Sequence, residues 1–409
     1  MNYSNFLRRN WRFLGFGISL NFFSSTGQTF FISIFGGEFR RDFNLSEGEF
    51  GFIYMIATLL SAGSLIWIGR LIDRMDLRIY TLLVCLGSIL ASFLTSIVNS
   101  AFALAIAFYL LRLMGQGLMN HIAVTSMGRY FAVERGKAIG IVTLGSTIGL
   151  ALYPAMGVIL IKSYGWSGSW LALAVIYSVI LIPLILWLLK DQDIRHQKYL
   201  VKRDQKVQST EANSDYTAGE MLSEPRFFLI TPAILASPFL LTGLLFHQVS
   251  IVEYKNWSMS TVASGFMGLA ISSFLTSLML GPLIDKWRAI NLLPYILSPL
   301  ILALFVLNYF QNEFFIFIYL ILLGSCFGTT FTISGAIWPE IYGTKNLGAI
   351  KSIIKAIMVC SSALSPWVFG LLFDAGLGIT GISYLGAAII ISTAILARFA
   401  QPLNPSKGL

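Results

Sequence analysis

The sequence predicts an all-α polytopic membrane protein with twelve transmembrane helices, arranged as two pseudo-symmetric six-helix bundles. Three observations lead to this fold class: the composition, twelve apolar segments of membrane-spanning length, and a polar motif that occurs twice. The 409-residue chain is 56% hydrophobic and only 11% charged, whereas about a quarter of the residues in a soluble domain are charged. A lipid bilayer is therefore one predicted partner of the chain.

Each predicted span has about 20 mainly apolar residues, which is the length that crosses a hydrocarbon core of ~30 Å. The spans of the N-terminal half cover residues 11–37, 48–68, 78–98, 101–128, 136–161 and 168–189. Those of the C-terminal half cover residues 227–251, 259–280, 290–310, 313–338, 347–373 and 380–400. These limits predict an N-terminal six-helix bundle (1–189), a cytoplasmic linker (190–226) and a C-terminal six-helix bundle (227–409).

The linker is the long polar stretch of the chain. Residues 190–226 are rich in charged residues, Gln, Ser and Asn and contain few large apolar side chains, a composition typical of solvated linkers. Within it, residues 191–206 are predicted to form a surface helix.

The distribution of basic residues predicts the orientation in the membrane. The excess of 28 Lys and Arg over 19 Asp and Glu would indicate nucleic-acid binding only if the bases clustered on a soluble face. Instead, most of them fall on one side of the predicted spans, which is the positive-inside bias. We therefore expect a bacterial-type inner membrane protein with both termini in the cytoplasm and no nucleic-acid partner.

Several function classes lack support in the sequence. The three cysteines lie inside apolar runs and show no disulfide or metal-site spacing. The chain has no GxxxxGK[ST] loop, no metal-binding motif and no nucleophile motif. We therefore predict no cofactor, and the sequence supports neither an ATP-driven pump nor a membrane enzyme.

A repeated motif supports the division into two halves. Residues 69–74 read GRLIDR, and residues 281–286 read GPLIDK. In both places an acid beside a base follows an apolar segment, so both pairs are expected at a membrane surface. Tyr153-Pro154 in the fifth span is likewise matched by Ser365-Pro366 in the eleventh. Parallel repeats around a site near the bilayer midplane are a known plan of secondary transporters.

Twelve spans, a long central loop and the motif at residues 69–74, followed by Arg78, together resemble the major facilitator superfamily (MFS). The resemblance covers nearly the whole chain. The sequence departs from the fuller motif in having Asp76 where glycine is usual and Leu77 where a base is usual.

The resemblance implies an MFS fold, alternating access and a cytoplasmic latch. In that latch, Asp73 with its basic neighbours Arg74 and Arg78 would hold the two halves together in the outward-open state. Asp285 and Lys286 would form the mirror latch in the second half. The resemblance also implies a monomer.

Ionisable side chains inside a bilayer cost several kcal/mol and are functional candidates by default. The cores of the predicted spans contain no Asp or Glu, and the ionisable groups that lie there are basic or neutral. They are Arg112, His121, His247, Lys351 and Lys355.

Arg112 lies about eleven residues into the fourth span, or roughly 16 Å deep. Because arginine stays charged, it needs an acceptor: a backbone carbonyl, a polar side chain, a distant acid or a bound anion. The following Gly115-Gln116-Gly117 resembles the MFS span-four motif of an arginine followed by Gln and Gly, in a different order. Arg112 either binds substrate or is satisfied by carbonyl groups of the first span.

Lys355 lies roughly 12 Å into the eleventh span, and Lys351 lies one turn nearer the cytoplasm on the same face. Lys355 is predicted to face a cavity, whereas Lys351 can either bind substrate or extend to the interface. A lysine in span eleven is also similar to that of oxalate/formate exchangers and their monocarboxylate-transporter relatives. Those families carry an arginine in span eight, which this chain lacks.

A polar stripe of Asn21, Ser24, Ser25 and Gln28 follows the first span at helical spacing. In lipid such a stripe must face protein or water. Helix packing through small residues explains the serines as well as a cavity does, and Gln28 is predicted to line the transport path.

Histidine is the side chain whose ordinary pKa lies near neutral pH, and the predicted spans contain His121 and His247. Each is either a hydrogen-bonded structural residue or a group that couples protons to transport. The alternative proton-coupling group is an acid at a helix end, such as Glu38.

The sequence thus predicts a secondary transporter of a small organic anion, specifically a carboxylate, by antiport or proton-linked symport. The predicted substrate-binding residues are Arg112, Lys355, Gln28 and Lys351. One alternative is an MFS exporter of hydrophobic or cationic compounds, of the drug-efflux type, which would need an acid in the cavity such as Glu38 or Asp374. A second is a receptor or scaffold without transport, which would need a partner domain or a long tail.

Overall fold

The computed structural model describes residues 3–131, 134–190, 192, 195–196, 216–343 and 346–400. Within these ranges the chain is helical and contains no strand. The predicted surface helix at residues 191–206 lies almost entirely outside the described residues.

The chain divides into two compact units. The first comprises Met1–Phe43 and Ile56–Glu211, and the second comprises Asn44–Met55 and Ala212–Leu409. Residues 44–55, which include the start of the second predicted span, therefore pack with the C-terminal helices.

The described residues up to 190 form nine α-helices: α1 (Tyr3–Phe23), α2 (Thr29–Ile32), α3 (Gly36–Phe43), α4 (Glu47–Ile68), α5 (Leu77–Ser96), α6 (Ala101–Leu111), α7 (Asn120–Tyr130), α8 (Arg135–Ile176) and α9 (Ile182–Leu188). Between them lie 3-10 turns at Ser24–Gly27, Ser33–Phe35 and Gly69–Asp73 and π-helical segments at Arg112–Met119 and Tyr177–Leu181.

The second part forms nine more described helices: α10 (Ala218–Ser223), α11 (Pro225–Phe246), α12 (Gln248–Lys255), α13 (Met259–Trp287), α14 (Ala289–Leu292), α15 (Ser298–Tyr309), α16 (Phe315–Tyr342), α17 (Leu347–Asp374) and α18 (Gly378–Phe399).

Ten helical stretches of described residues are long and apolar enough to cross a membrane. Two features explain the difference from twelve predicted spans. The stretch Arg135–Leu188 contains two of those spans, and Gly165, at φ 66°, breaks the helical backbone between them. The first predicted span is divided among α1, α2 and α3 by 3-10 turns. The helical multi-pass fold is therefore confirmed, and the first predicted span is interrupted rather than continuous.

Small residues bring the helices of each unit close together. In the first unit, a Cβ atom at Gly145 of α8 would overlap the Ile18 carbonyl oxygen of α1. In the second, a Cβ atom at Gly324 of α16 would overlap the Leu269 carbonyl oxygen of α13. Lipid tails are as apolar as the side chains, so the hydrophobic effect does not drive helices together within a membrane. Close backbone contacts of this kind are therefore a main source of helix association there.

Candidate functional site

The first span changes course in the middle of the first unit. After α1 the chain makes the 3-10 turn Ser24–Gly27, and Gln28 is extended, with φ −84° and ψ 148°. The predicted polar stripe therefore does not continue along one α-helix.

The fourth span is also irregular, because Arg112–Met119 forms a π-helical segment between α6 and α7. The two irregular segments meet through glycines. A Cβ atom at Gly27 would overlap the Leu111 carbonyl oxygen, and one at Gly115 would lie 2.9 Å from the Gly27 Cα atom. Glycine is needed at both positions for this approach, and π-helical insertions are frequent at functional sites.

Arg112 lies at this contact and is 4% exposed. Its Nη1 donates to the Gly27 carbonyl oxygen at 3.2 Å and to the Thr29 hydroxyl oxygen at 3.5 Å. Both acceptors are neutral and belong to the first span. The contact with the Gly27 carbonyl oxygen agrees with the alternative in which carbonyl groups of the first span satisfy Arg112. Substrate binding by Arg112 stays a prediction.

The predicted polar stripe separates into two kinds of residue. Asn21 is buried, donates to the Val142 carbonyl oxygen at 2.8 Å and accepts a hydrogen bond from Asn120 at 3.0 Å. It therefore connects α1 with α7 and α8. Gln28 is half-buried, and its side-chain amide has no hydrogen-bond partner among the residues that the structure describes. Gln28 can thus offer its amide to a ligand.

Two buried tyrosines hold the turn of the first span. The Tyr177 hydroxyl donates to the Phe23 carbonyl oxygen. Since a phenol has one proton, its other contacts must be with donors, and these are Thr26 at 2.9 Å and Tyr153 at 3.2 Å. The network fixes the residues just before Gly27, whose carbonyl group binds Arg112.

The motif at residues 69–74 forms its contacts within the first unit. Asp73 forms an ion pair with Arg129 at the end of α7. Arg129 also donates to the Ile72 carbonyl oxygen at 3.1 Å. Nε2 of His121 lies 3.2 Å from the Gly69 carbonyl oxygen, and since a carbonyl only accepts, Nε2 carries the hydrogen. His121 is therefore a hydrogen-bonded neighbour of the motif.

The other basic residues of the predicted latch differ in their contacts. Arg74 is exposed. Arg78 donates to the carbonyl oxygens of Leu189 at 2.8 Å and Lys190 at 2.6 Å, so it caps the end of α9. Asp76, which departs from the family motif, accepts hydrogen bonds from the first backbone N–H groups of α5 as its N-cap.

In the second unit, Lys351 and Lys355 lie on α17. Lys351 Nζ donates to the Gly335 carbonyl oxygen of α16 at 3.2 Å. Lys355 is exposed. The structure therefore ties Lys351 to a neighbouring helix and leaves Lys355 accessible on the surface of its unit.

The repeated motif of the second unit has a different arrangement. Asp285 is exposed, and Lys286 Nζ lies 5.5 Å from the centre of the Trp287 ring. The ion pair at this end joins Arg288 to Glu340, with Nε and Oε1 3.2 Å apart. Glu340 lies at the end of α16, in the place that Arg129 occupies on α7.

His247 is buried between α11 and α12. Its Nδ1 lies 3.1 Å from Oε2 of Glu47, and its Nε2 lies 2.7 Å from the Pro366 carbonyl oxygen. Glu38 belongs to the first unit and forms an ion pair with Arg41. The structure thus gives His247 an acidic partner, whereas the partner of Glu38 is a base.

Sequence reasoning missed Glu47, Arg129, Glu340 and Arg288. All four lie at or just beyond the end of a span, where charged residues are common and carry little signal. Arg129 and Glu340 occupy matching positions of the two halves, and that correspondence was available in the sequence. Nothing local indicates that Glu47 pairs with His247, 200 residues away.

Within the described ranges, no group of three His, Cys, Asp or Glu side chains could hold a metal ion.

Comparison with known proteins adds a family and several relatives. The model of the Major Facilitator Superfamily matches residues 17–312. Monocarboxylate transporter 2 of Mesocricetus auratus is 32% identical over 152 residues, which are 36% of this chain and 30% of that protein. The chain therefore spans less than a third of the monocarboxylate transporters that it matches. An aspyridones efflux protein of Emericella nidulans is 22% identical over 365 residues, which are 88% of this chain and 71% of that protein.

Solved structures show the same fold. A bacterial homolog of the human lysosomal transporter Spinster, in an inward-facing and occupied conformation, superposes with a TM-score of 0.65 at 17% identity, covering 98% of this chain and 96% of that one. The unoccupied form gives a TM-score of 0.64 at 15% identity, covering 96% and 95%.

Proposed function

The chain belongs to the Major Facilitator Superfamily, and we propose that it carries a small organic anion, specifically a carboxylate, by alternating access. Membership makes it a multi-pass membrane transporter of small molecules rather than an enzyme. The proposal adds the charge of the substrate, its coupling by antiport or proton-linked symport, and the residues that bind it. It also includes a monomer in a bacterial-type inner membrane, with both termini in the cytoplasm.

The observation that carries the proposal is the position of Arg112. Its guanidinium group is buried in the fourth span against a carbonyl and a hydroxyl oxygen of the first. A carboxylate matches the planar fork of a guanidinium, and charge-assisted hydrogen bonds are roughly twice as strong as neutral ones. A carboxylate would therefore compete successfully with Gly27 and Thr29 for Arg112.

Such competition would connect substrate binding to a movement of the chain. The Gly27 carbonyl group belongs to the turn at which the first span changes course. Releasing it from Arg112 would loosen the contact between the first and fourth spans, while the half-buried amide of Gln28 could hydrogen-bond the arriving anion.

The relatives support the same substrate class. Several of the similar proteins are monocarboxylate transporters. Lys355 supplies an accessible positive charge in the second unit, and we propose it as a second anion-binding group. Lys351 is a weaker candidate, because it already donates to the Gly335 carbonyl oxygen.

Uptake of labelled mono- and dicarboxylates into proteoliposomes, with and without a pH gradient, tests the proposal. Arg112→Gln should raise the KM for the anion about 10- to 100-fold, because a hydrogen bond to a charged group contributes about 1.5–3 kcal/mol. Arg9→Gln is the matched control, since Arg9 is an exposed arginine of α1. Equal KM values for the Arg112→Gln variant and the parent protein would refute the anion site.

Lys355→Gln is tested in the same assay as a separate variant. We expect a smaller rise in KM, because an exposed side chain stays partly hydrated when it binds an anion. A change in the Arg112→Gln variant alone would leave the anion site in place and remove Lys355 from it.

A second candidate function is export of a hydrophobic or cationic compound. It is favoured by the similarity to the aspyridones efflux protein, which extends over 88% of this chain. That function would need an available acid, yet Glu38 pairs with Arg41 and Asp374 accepts three hydrogen bonds at the start of α4. Counterflow of a lipophilic cation in the same proteoliposomes, with no carboxylate uptake, would establish the exporter instead.

A further inference from the structure

The start of α4 is hydrogen-bonded to the end of α17 in the second unit. We call this contact region, formed by residues 44–55, His247 and the end of α17, the corner. The Asp374 carboxylate, at the end of α17, accepts hydrogen bonds from the Ser46 hydroxyl at 2.8 Å and from the backbone N–H groups of Glu47 at 3.0 Å and Gly48 at 2.9 Å. A carboxylate at this position also interacts favourably with the helix dipole.

The contact is also tight along the backbone. A Cβ atom at Gly51 would overlap the Pro366 carbonyl oxygen, and one at Gly370 would overlap the Glu47 carbonyl oxygen. Residues 44–55 are therefore docked directly on α17. The charge bias of the sequence predicts that this corner lies at the outer surface of the membrane.

The hydrogen bonds of His247 determine how many protons this corner holds. Nε2 lies 2.7 Å from the Pro366 carbonyl oxygen, which can only accept, so Nε2 carries a hydrogen. Nδ1 lies 3.1 Å from Oε2 of Glu47. With Nε2 protonated, this second contact is attractive only if another proton lies on Nδ1 or on the carboxyl group.

We propose that Glu47 and His247 form a proton-binding site, and that the proton between them keeps residues 44–55 docked on the second unit. The bound state is an imidazolium facing a carboxylate, or a neutral imidazole facing a carboxylic acid. In both forms the pair has no net charge.

Loss of that proton would make the corner unfavourable. The Nδ1 lone pair would then face an ionised Glu47, and a second carboxylate, Asp374, lies beside the same turn of α4. Aromatic rings of Phe246 and Phe373 lie 5.1 and 5.3 Å from the imidazole ring and limit its hydration. Charge repulsion is stronger where water is scarce.

Other polar groups of α4 and α12 lie near the pair. The Ser250 hydroxyl of α12 donates to Oε1 of Glu47, which stabilises an ionised carboxylate in either protonation state of the histidine. Glu49 of α4 bonds Ser46 and is exposed, and Glu253 of α12 is exposed as well. Lys255 of α12 donates to the Phe310 carbonyl oxygen at 3.2 Å.

The site gives the transporter a means of coupling to protons. Helix α4 has its residues 47–55 in the second unit and its later residues in the first. We infer that undocking of residues 44–55 accompanies release of the proton. The link to substrate transport rests on the proposed function, whereas the proton site itself does not.

Hydrogen–deuterium exchange of the full-length protein in detergent measures the docking without any substrate. After correction for intrinsic exchange rates, protection of the amides at residues 44–55 should fall at least about tenfold from a buffer at about pH 5 to one at about pH 9, because the corner loses the proposed proton. In Glu47→Gln the amide can donate to Nδ1 at every pH, so protection should stay high and independent of pH.

The exposed Glu253 on α12 offers a matched control, and Glu253→Gln should retain the pH profile of the parent protein. His247→Gln provides a second variant without a titrating ring and should also show a flat profile. Protection that is constant with pH in the parent, or a pH profile that Glu47→Gln retains, would overturn the proposal. Carboxylate uptake measured in parallel separates the two ideas, because a flat exchange profile with intact uptake removes the proton site alone.

Discussion

In each unit an ion pair joins the loop after the second span of that half to the end of its fourth span. The acid and the base exchange places between the two units. In the first unit the acid, Asp73, lies in the loop after the second span, and the base, Arg129, lies at the end of the fourth. In the second unit the base, Arg288, lies in the loop after the eighth span, and the acid, Glu340, lies at the end of the tenth.

The two halves share the connection between loop and helix, but they do not share the positions of the two charges. Coulomb attraction depends on the product of two charges, so exchanging their signs leaves the connection between loop and helix unchanged. The residues that look equivalent in sequence are not equivalent in contact, because Asp73 forms an ion pair with Arg129 whereas Asp285 forms none among the described residues, although both aspartates are exposed. The similarity of the two motifs therefore does not establish a latch in both halves.

The two pairs also differ in exposure. In the first pair the Arg129 side chain is 14% exposed and that of Asp73 is 68% exposed, whereas in the second Arg288 is 52% exposed and Glu340 is 18% exposed. Because water screens exposed charges, replacing the buried base Arg129 should cost more stability than replacing the half-exposed base Arg288.

Reversing the charge of the first pair should produce the largest effect of the three predictions on this comparison. Arg129→Glu places two acids together and removes the hydrogen bond to the Ile72 carbonyl oxygen, so the variant should lose about 2 kcal/mol of stability. Thermal unfolding in detergent measures the loss. The double exchange Asp73→Arg with Arg129→Glu should recover at least half of it, and no recovery would contradict the sign-independent connection.

Reversal of the second pair should have a smaller effect. Arg288→Glu should reduce stability by about 0.5–1 kcal/mol, since the arginine is half in solvent. The matching double exchange, Arg288→Glu with Glu340→Arg, serves as its control in the same unfolding experiment. A loss as large as that of Arg129→Glu would show that the exposure of the base does not determine the cost of reversing its charge.

The smallest effect is expected at the repeated acid of the second motif. Asp285→Asn should change the unfolding temperature by an amount equivalent to less than about 0.5 kcal/mol, as is usual for exposed positions without a special contact. Asp73→Asn, in the equivalent position of the first motif, should cost about 1 kcal/mol. Equal effects of the two substitutions would restore the mirror latch as a hypothesis.

Much of the architecture was predictable because it depends on local composition. Each of the predicted spans overlaps helices of the structure, although Gln28 interrupts the first one. The family resemblance rests on a motif at residues 69–74 and is confirmed by the match over residues 17–312.

Other features depended on residues distant in the chain. The interruption of the first span was missed because it accompanies the contact between Gly27 and Gly115, which belong to different spans. The role of Asp76 as a helix cap could have been expected from the polar residue before an apolar run. The pairing of Arg78 with the end of α9 could not, because the two are more than 100 residues apart.

The sequence by itself determined that this protein is a helical multi-pass membrane protein of the Major Facilitator Superfamily, because entry into lipid depends on the hydrophobicity of each segment taken alone. Only the tertiary structure decided which charged groups meet: Asp73 with Arg129, Glu47 with His247, and Arg112 with the turn of the first span. A buried polar group takes whichever partner the packing of other helices brings within hydrogen-bond distance, and no local pattern records that choice.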